Sequence, residues 1–360
     1  MMAAGSDDVI EFIDKRARRV RDYLAADNFL ASAGPRHLRE ATAAYLSRGG
    51  KGLRPAAVLL CCGAAGGQED WALAAAAAAE VTHNWALVHD DIIDRDELRR
   101  GGPTVHADLA ARGRAELGLE GDEASHYGLA LAVLAGDMGP CWAAHLLSRL
   151  PENGVTASEA AWRLATELAG ATVPAILAGE AEDVQLSRTR LEGVTVEAVE
   201  AMLEKKTGAL YEWCARAGAT VGGAPPESVE RLGLFARLCG TAFQHVDDTL
   251  AYFADENKTG KAAASDVREG KRTAVVLGAY GNASAEERRL ISATLGRKDA
   301  SDGDVEVLKE KLTALGGVSF ARERARWYRE RALGELEGAA AGEYRGMLAA
   351  WAEFLLARTY

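Results

Sequence analysis

With 360 residues, 48% of them hydrophobic, the chain is long enough for a large core, and its formal net charge of −11 argues against nucleic acid as a partner, because gripping a phosphate backbone needs clustered lysine and arginine. Alanine, leucine, glutamate and arginine dominate and all favour helix, while period-two runs of valine, isoleucine or threonine are sparse, which points away from a β protein. Five cysteines (Cys61, Cys62, Cys141, Cys214, Cys239) lie in apolar stretches without a C-x-x-C pair, so they read as core residues in a reducing, cytoplasmic setting.

Taken in chain order, helical periodicity predicts elements at Val9 to Ala26, Leu38 to Ser47, Arg54 to Gly63, Trp71 to Asp94, Leu129 to Leu150, Ser158 to Leu186, Val196 to Val221 and Ser228 to Phe253. Shorter ones follow at Ala274 to Tyr280, Ala285 to Leu295, Val305 to Leu315, Ser319 to Leu336 and Tyr344 to Arg358. Ser158, Ser228 and Ser319 are candidate N-caps, and Pro174 should kink its helix. Arg112 to Ala124, Pro151 to Thr156, Gly222 to Glu227 and Arg297 to Asp304 read as loops. The N-terminus turns acidic too early for a secretory signal. The apolar run Trp71 to Val88 contains Glu80 and His83 and is mostly alanine, so it reads as a core helix and not as a membrane span. Short gaps between helices predict one all-α domain over residues 1–360.

Three segments carry chemistry. In HDDIIDRDELRRGGPTVH, His89 to His106, Asp90 and Asp94 are four apart and so share one helix face, with Asp91 beside them. Like charges at that spacing need compensation, and a few carboxylates plus substrate phosphates suit magnesium; an acidic helix end is the plainer alternative. Arg99 and Arg100 follow, well shaped for phosphate oxygens, although neighbouring acids and bases could merely pair with each other. In FQHVDDTLAYFADENKTGKAAASDVREGKRT, Phe243 to Thr273, Asp247 and Asp248 close a mostly apolar helix, and Lys258, Lys261, Lys271 and Arg272 come after. The repeated order of acids then bases predicts two helices facing one diphosphate-binding cavity. The third segment, GGKGLRP (Gly49 to Pro55), sets Lys51 and Arg54 three apart beside glycines that let backbone bend around a ligand; it is not a G-x-x-x-x-G-K-[ST] loop.

Together with LAGD and KKTGAL, these segments resemble the trans-isoprenyl diphosphate synthase family, in order and over nearly the whole chain. The resemblance implies an all-α helical bundle of the isoprenoid synthase type with a central cavity. It further implies a prenyltransferase that condenses isopentenyl diphosphate with an allylic diphosphate through metal-assisted ionisation and a carbocation. By the same likeness, Asp90, Asp91, Asp94, Asp247 and Asp248 would bind three Mg2+ ions. Lys51, Arg54, His83 and Arg100 would hold the diphosphate of isopentenyl diphosphate. Arg99, Lys206 and Lys261 would hold the allylic diphosphate, with Thr207 and Gln244 near the reacting carbons. Homodimers are common in such a family, and the alanine-rich helix Trp71 to Val88 would allow close approach.

Two positions depart from the commoner pattern: Ala251 stands where a third aspartate is frequent, and the usual G-Q-x-x-D appears as Gly179, Glu180, Ala181, Glu182, Asp183, with two acids that have no evident purpose. Product length should depend on the floor beneath the first aspartates. Trp85 and Ala86 lie five and four residues before Asp90, and one helical turn of about 5.4 Å is comparable to one prenyl unit. A tryptophan there predicts an early stop, favouring geranylgeranyl diphosphate, with farnesyl diphosphate as the alternative. A class I terpene cyclase would need Asn, Ser and Glu where Asp247, Ala251 and Asp255 stand, and a non-catalytic partner subunit would be expected to lack aspartates that are present here.

Overall fold

The structure, a computed structural model, describes residues 6–253 and 265–357. Among these the regular structure is helical apart from one small hairpin: α1 Ser6–Ala25, α2 Arg36–Ser47, α3 Leu53–Ala64, α4 Leu73–Asp94, α5 Val105–Leu117, α6 Gly121–Ser148, α7 Ser158–Glu167, α8 Val173–Leu186, α9 Val196–Leu203, α10 Ala209–Val221 and α11 Pro226–Phe253. Further helices lie at Ser265–Glu269, Ala274–Asn282, Ala285–Thr294, Asp302–Ala314, Gly317–Ala339 and Gly342–Leu356. The all-α expectation holds.

Packing gathers these helices into two compact units, each built from separate stretches. The first takes the chain up to Thr172 with Trp213–Gly233 and Gly338–Trp351; the second takes Val173–Glu212, Leu234–Glu337 and the chain from Ala352. In the first, α4 is the inner helix, and its Ala75–Ala79 run is fully buried against neighbouring helices. Those alanines are spent inside the unit's own core, so they do not form a surface for a second copy. Two glycines of α6 let it lie close to α4: a Cβ on Gly136 would fall 2.2 Å from the His89 ring, and one on Gly139 would fall 2.4 Å from Trp85 Cβ. The core of the second unit joins Val199, Met202, Leu203, Val267, Val275, Val276, Ile291, Leu308 and Leu312.

Several local expectations are corrected. Arg112 to Ala124 is mostly helix: Val105, Leu109, Ala110 and Gly113 form a buried stripe that outweighs the charged, glycine-containing sequence. Ser158, Ser228 and Ser319 lie inside their helices, not at the caps. Side-chain caps are supplied by Thr195, Thr273, Ser284 and Ser301, the last two in capping boxes with Glu287 and Asp304. Both long central helices are interrupted by a π-helical turn, Leu168–Thr172 just before Pro174 and Glu204–Gly208 between α9 and α10. The stretch Gly121–Asn153 is long and apolar enough to cross a membrane by length and composition, and Leu129, Val133 and Leu134 on it are exposed.

Candidate active site

In the first unit, the site begins at the turn between α2 and α3. Gly49 and Gly52 both have positive φ (75° and 60°), and a Cβ on Gly52 would lie 2.3 Å from Ala17 Cβ, so the turn that carries Lys51 and Arg54 depends on glycine. Lys51 is exposed and Arg54 half-buried. After α4 ends on Arg95 in the left-handed region, Leu98–Arg99 pairs antiparallel with Gly102–Pro103. The two turn residues, Arg100 and Gly101, have φ 53° and 73°, the backbone of a type I′ hairpin turn. This turn delivers Arg100 to the glycine-rich turn, where its guanidinium donates to the carbonyls of Tyr45 (2.8 Å) and Gly49. Gly50 leaves the space for it: a Cβ there would meet the Arg100 guanidinium at 3.0 Å.

His83, on α4, sits among these cations. Its pKa is driven well below the ordinary histidine value by burial and by Arg54, Arg100 and Arg99, with Asp90 opposing, so the ring is neutral at neutral pH. One turn earlier, burial raises the Glu80 carboxyl against the pull of Arg100, Arg54 and Arg21. Glu80 carried no motif in the sequence, yet its position three before His83 puts both on one side of α4.

Asp90, Asp91 and Asp94 occupy the last turns of α4, but they are not equivalent. Asp91 is fully buried: Arg99 Nε donates to its Oδ1 at 2.5 Å, and the Tyr45 hydroxyl donates to its Oδ2. Burial pushes its carboxyl up to about 6, with Arg99 and Tyr45 opposing. Asp90 and Asp94 are half-buried, and Asp90 Oδ2 accepts from Arg99 at 3.2 Å. Arg99 therefore rests on the aspartates, with Asp96 also 3.6 Å away. Trp85 is buried with its base on Gly139 and its ring edge-on to His89, the centroids 5.9 Å apart, while Ala86 is half-buried.

The second unit carries the other half of the motifs. Lys206 and Thr207 fall in the π turn Glu204–Gly208, and α8 lies so close that a Cβ on Gly179 would be 2.4 Å from the Lys206 backbone nitrogen. The unexplained acids of α8 find partners there. Lys206 Nζ is 2.7 Å from Glu180 and 2.8 Å from Asp183, Lys271 Nζ is 3.0 Å from Asp183, and Lys205 pairs with Glu182 at 2.5 Å. Burial alone would raise the Asp183 carboxyl, but Lys206 and Lys271 hold it below the usual range. Nothing in the spacing marked Lys271 and Asp183 as a pair, because they meet across 88 residues.

Thr207 Oγ1 donates to Gln244 Oε1 (3.1 Å), and Gln244 Nε2 donates to Asp248 Oδ1 (3.0 Å). Asp248 is buried, and its Oδ2 has no hydrogen-bond partner among the described residues. Its carboxyl is pushed up to about 8, chiefly by burial, with Asp266, Asp247 and Asp183 adding to the rise against the Gln244 hydrogen bond. Asp247 is half-buried one residue before it, and Lys261 lies outside the described residues.

Among the described residues no three His, Cys, Asp or Glu side chains form a ready metal cage. The donor chemistry nonetheless suits a hard divalent cation that completes its shell with water and phosphate oxygens. Asp90 and Asp94 are half-buried carboxylates on one face, and Asp248 is an undercompensated buried carboxyl that a cation would offset.

The polyprenyl synthetase family profile matches residues 35–312. A geranylgeranyl diphosphate synthase of Methanosarcina mazei is 32% identical over 336 residues, 93% of this chain and 94% of that protein. A geranylfarnesyl diphosphate synthase of Aeropyrum pernix is 35% identical over 303 residues, 84% of this chain and 87% of that protein. Among solved structures, the geranylgeranyl pyrophosphate synthase of Corynebacterium glutamicum, complexed with isoprenyl diphosphate and magnesium, superposes with a TM-score of 0.83 at 31% identity, covering 99% of this chain and all of that one.

Proposed function

This chain belongs to the polyprenyl synthetase family and is a trans-prenyltransferase, and from that premise we propose that it joins isopentenyl diphosphate to an allylic diphosphate and stops at geranylgeranyl diphosphate. The observation that supports this reading is the grouping of Arg54 and Arg100 around a neutral His83 in the first unit, cations that suit a diphosphate and that a metal site alone would not need.

In this reading Lys51, Arg54 and Arg100 neutralise the diphosphate of isopentenyl diphosphate, and neutral His83 adds a hydrogen bond without further charge. Lys206, with Arg99 and Lys261, holds the allylic diphosphate. Asp90 and Asp94 in the first unit, and Asp247 with Asp248 in the second, would hold three magnesium ions, with Asp91 bracing the first set from inside the protein. Magnesium, when bound, supplies Lewis-acid charge to the leaving diphosphate. Thr207 and Gln244 present a hydroxyl and an amide oxygen toward developing positive charge on the allylic carbons. The allylic C1–O bond breaks with its electron pair leaving on the diphosphate, the double bond of isopentenyl diphosphate attacks that carbon, and the proton then lost goes to the departed diphosphate. No side-chain nucleophile is needed.

Trp85 is the residue we assign to stopping the chain, because it is buried, seated on Gly139 and one turn before Asp90. The enzyme is cytoplasmic in this proposal, and a homodimer forms through the exposed Leu129, Val133 and Leu134 of α6, which also accounts for that helix's apolar length without a membrane.

The test is incubation with isopentenyl diphosphate and dimethylallyl diphosphate, with and without magnesium, followed by chromatography of the dephosphorylated products. The twenty-carbon alcohol is expected from the native chain and longer alcohols from Trp85→Ala. A fifteen-carbon product would make it a farnesyl synthase, a released hydrocarbon would make it a cyclase, and unchanged length in Trp85→Ala would remove Trp85 from the floor.

A further inference from the structure

Tyr45 meets the first-unit site through its hydroxyl, its carbonyl and its ring without being part of any of its sequence motifs. It is fully buried on α2. Its hydroxyl accepts from the Val105 N–H at 3.0 Å and donates to Asp91 Oδ2, so both roles of one oxygen are used. Val105 is the first residue of α5, where backbone N–H groups have no partner within the helix. The Tyr45 carbonyl accepts from Arg100 at 2.8 Å. Over its ring lies the Arg48 guanidinium, 5.5 Å from the centroid, which also donates to the Pro103 carbonyl in the hairpin. One residue thus ties α2, the end of α4, the arginine hairpin and the start of α5 together.

Asp91 is correspondingly closed. Arg99 takes one oxygen and Tyr45 the other, and the side chain is out of reach of solvent. A carboxylate held from both sides on a helix fixes the rotation of that helical turn, and the residues that this rotation aims are Asp90, next in sequence, and Asp94, one turn on.

We propose that Tyr45 is a positioning residue of the magnesium site: by pinning Asp91 it sets the last turn of α4 so that Asp90 and Asp94 meet the cation together. This rests on the reading that Asp90 and Asp94 hold magnesium. In that reading Tyr45 acts through Asp91 and is not itself a ligand.

Tyr45→Phe keeps the buried ring and removes only the oxygen. Magnesium dependence is read twice in the intact chain: as the concentration giving half-maximal rate, and as the rise in melting temperature that magnesium produces with inorganic pyrophosphate. Half-saturating magnesium should rise about tenfold, the low end for losing a group that orients a metal ligand, and the thermal shift should shrink. The KM for isopentenyl diphosphate should stay within about twofold, since Arg54, His83 and Lys51 are untouched. Val105→Pro removes the N–H that orients the hydroxyl at a position where helices tolerate proline, and it should move both readouts in the same direction, by about threefold. It decides the matter if Tyr45→Phe does not fold. Native magnesium response in the folded variants overturns the proposal. Asp90→Ala separates it from its premise: if that variant also keeps the native response, the metal assignment itself has failed, whereas a lost response there beside a native one in Tyr45→Phe removes Tyr45 alone.

Discussion

At the end of α4, Asp90 and Asp91 already share the guanidinium of Arg99, whereas on α11 Asp248 receives a neutral amide from Gln244 and lies near Asp247, Asp266 and Asp183. The sequence presents both regions in the same order, acids followed by bases, yet the folded chain satisfies them differently. In the first unit the hairpin folds Arg99 back over its own acids and sends Arg100 to the carbonyls of Tyr45 and Gly49. In the second, Lys271 goes instead to Asp183 on α8, which it shares with Lys206. Among the described residues Asp91 is thus held by a cationic partner, whereas Asp248 has only the neutral amide of Gln244. The carboxyl values reflect this, about 6 for Asp91 and about 8 for Asp248, although burial raises both.

The largest effect should come from taking Asp183 away from its lysines. Asp183→Asn leaves Lys206 and Lys271 partly buried without their shared counter-charge. Breaking a buried pair from one side is expected to cost about 3 kcal/mol, read as a lower urea midpoint. Lys206 would keep Glu180 but lose one of the two carboxylates that fix its position, so kcat/KM should fall about tenfold. Native stability in that variant would mean that the second unit's lysines are not committed to α8 and that the contrast between the units is wrong.

How far this contrast could be read from the sequence follows from the range of the contacts. Asp90, Asp91, Arg99 and Arg100 lie within eleven positions, so their chemistry could be proposed from spacing. Pairing of the acids with their own arginine was an open alternative there, and for Arg99 it is what the resting structure shows. The all-α class was equally legible, because periodicity is a local signal. What could not be read depends on contacts between distant segments. Glu180 and Glu182 make sense only beside Lys206 and Lys205, and Tyr45 reaches Asp91 across 46 residues. The π turn at Glu204–Gly208 had no signature in an otherwise continuous helical pattern, yet it is where Lys206 and Thr207 reside.

A smaller effect of opposite sign should follow from Asp248→Asn. The folded carboxyl titrates near 8, against an ordinary value of 3.8, so the unfolded chain ionises first as pH rises. From about pH 4 to about pH 8 the folded state therefore loses stability with each step, and below that window the residue costs nothing. Asparagine keeps an acceptor for Gln244 and removes the penalty. Without magnesium, the variant should melt higher than the native chain at pH 8, by about 1 kcal/mol, with the difference vanishing near pH 4. Asp91→Asn should show no such gain, because it gives up Arg99 and leaves that guanidinium without its buried partner. A gain of similar size in both variants would erase the distinction between the two acidic sets.

The smallest effect tests the same idea between adjacent residues of the second unit. Lys205 and Lys206 are consecutive in one π turn, and both have acidic partners on α8. Lys206 is 21% exposed and bridges Glu180 and Asp183, the latter nearly buried, while Lys205 is 43% exposed and its Glu182 36% exposed. An ion pair that open to water is screened and has to immobilise two long side chains, so it contributes little. Lys205→Ala should change stability by less than about 0.5 kcal/mol and leave turnover within about twofold. Lys206→Ala should leave Glu180 without a lysine that reaches it at 2.7 Å and should lower kcat/KM steeply. If the two alanine variants behave alike, the π turn does not separate a surface lysine from a site lysine, and the commitment of bases to α8 would be a property of charge density alone.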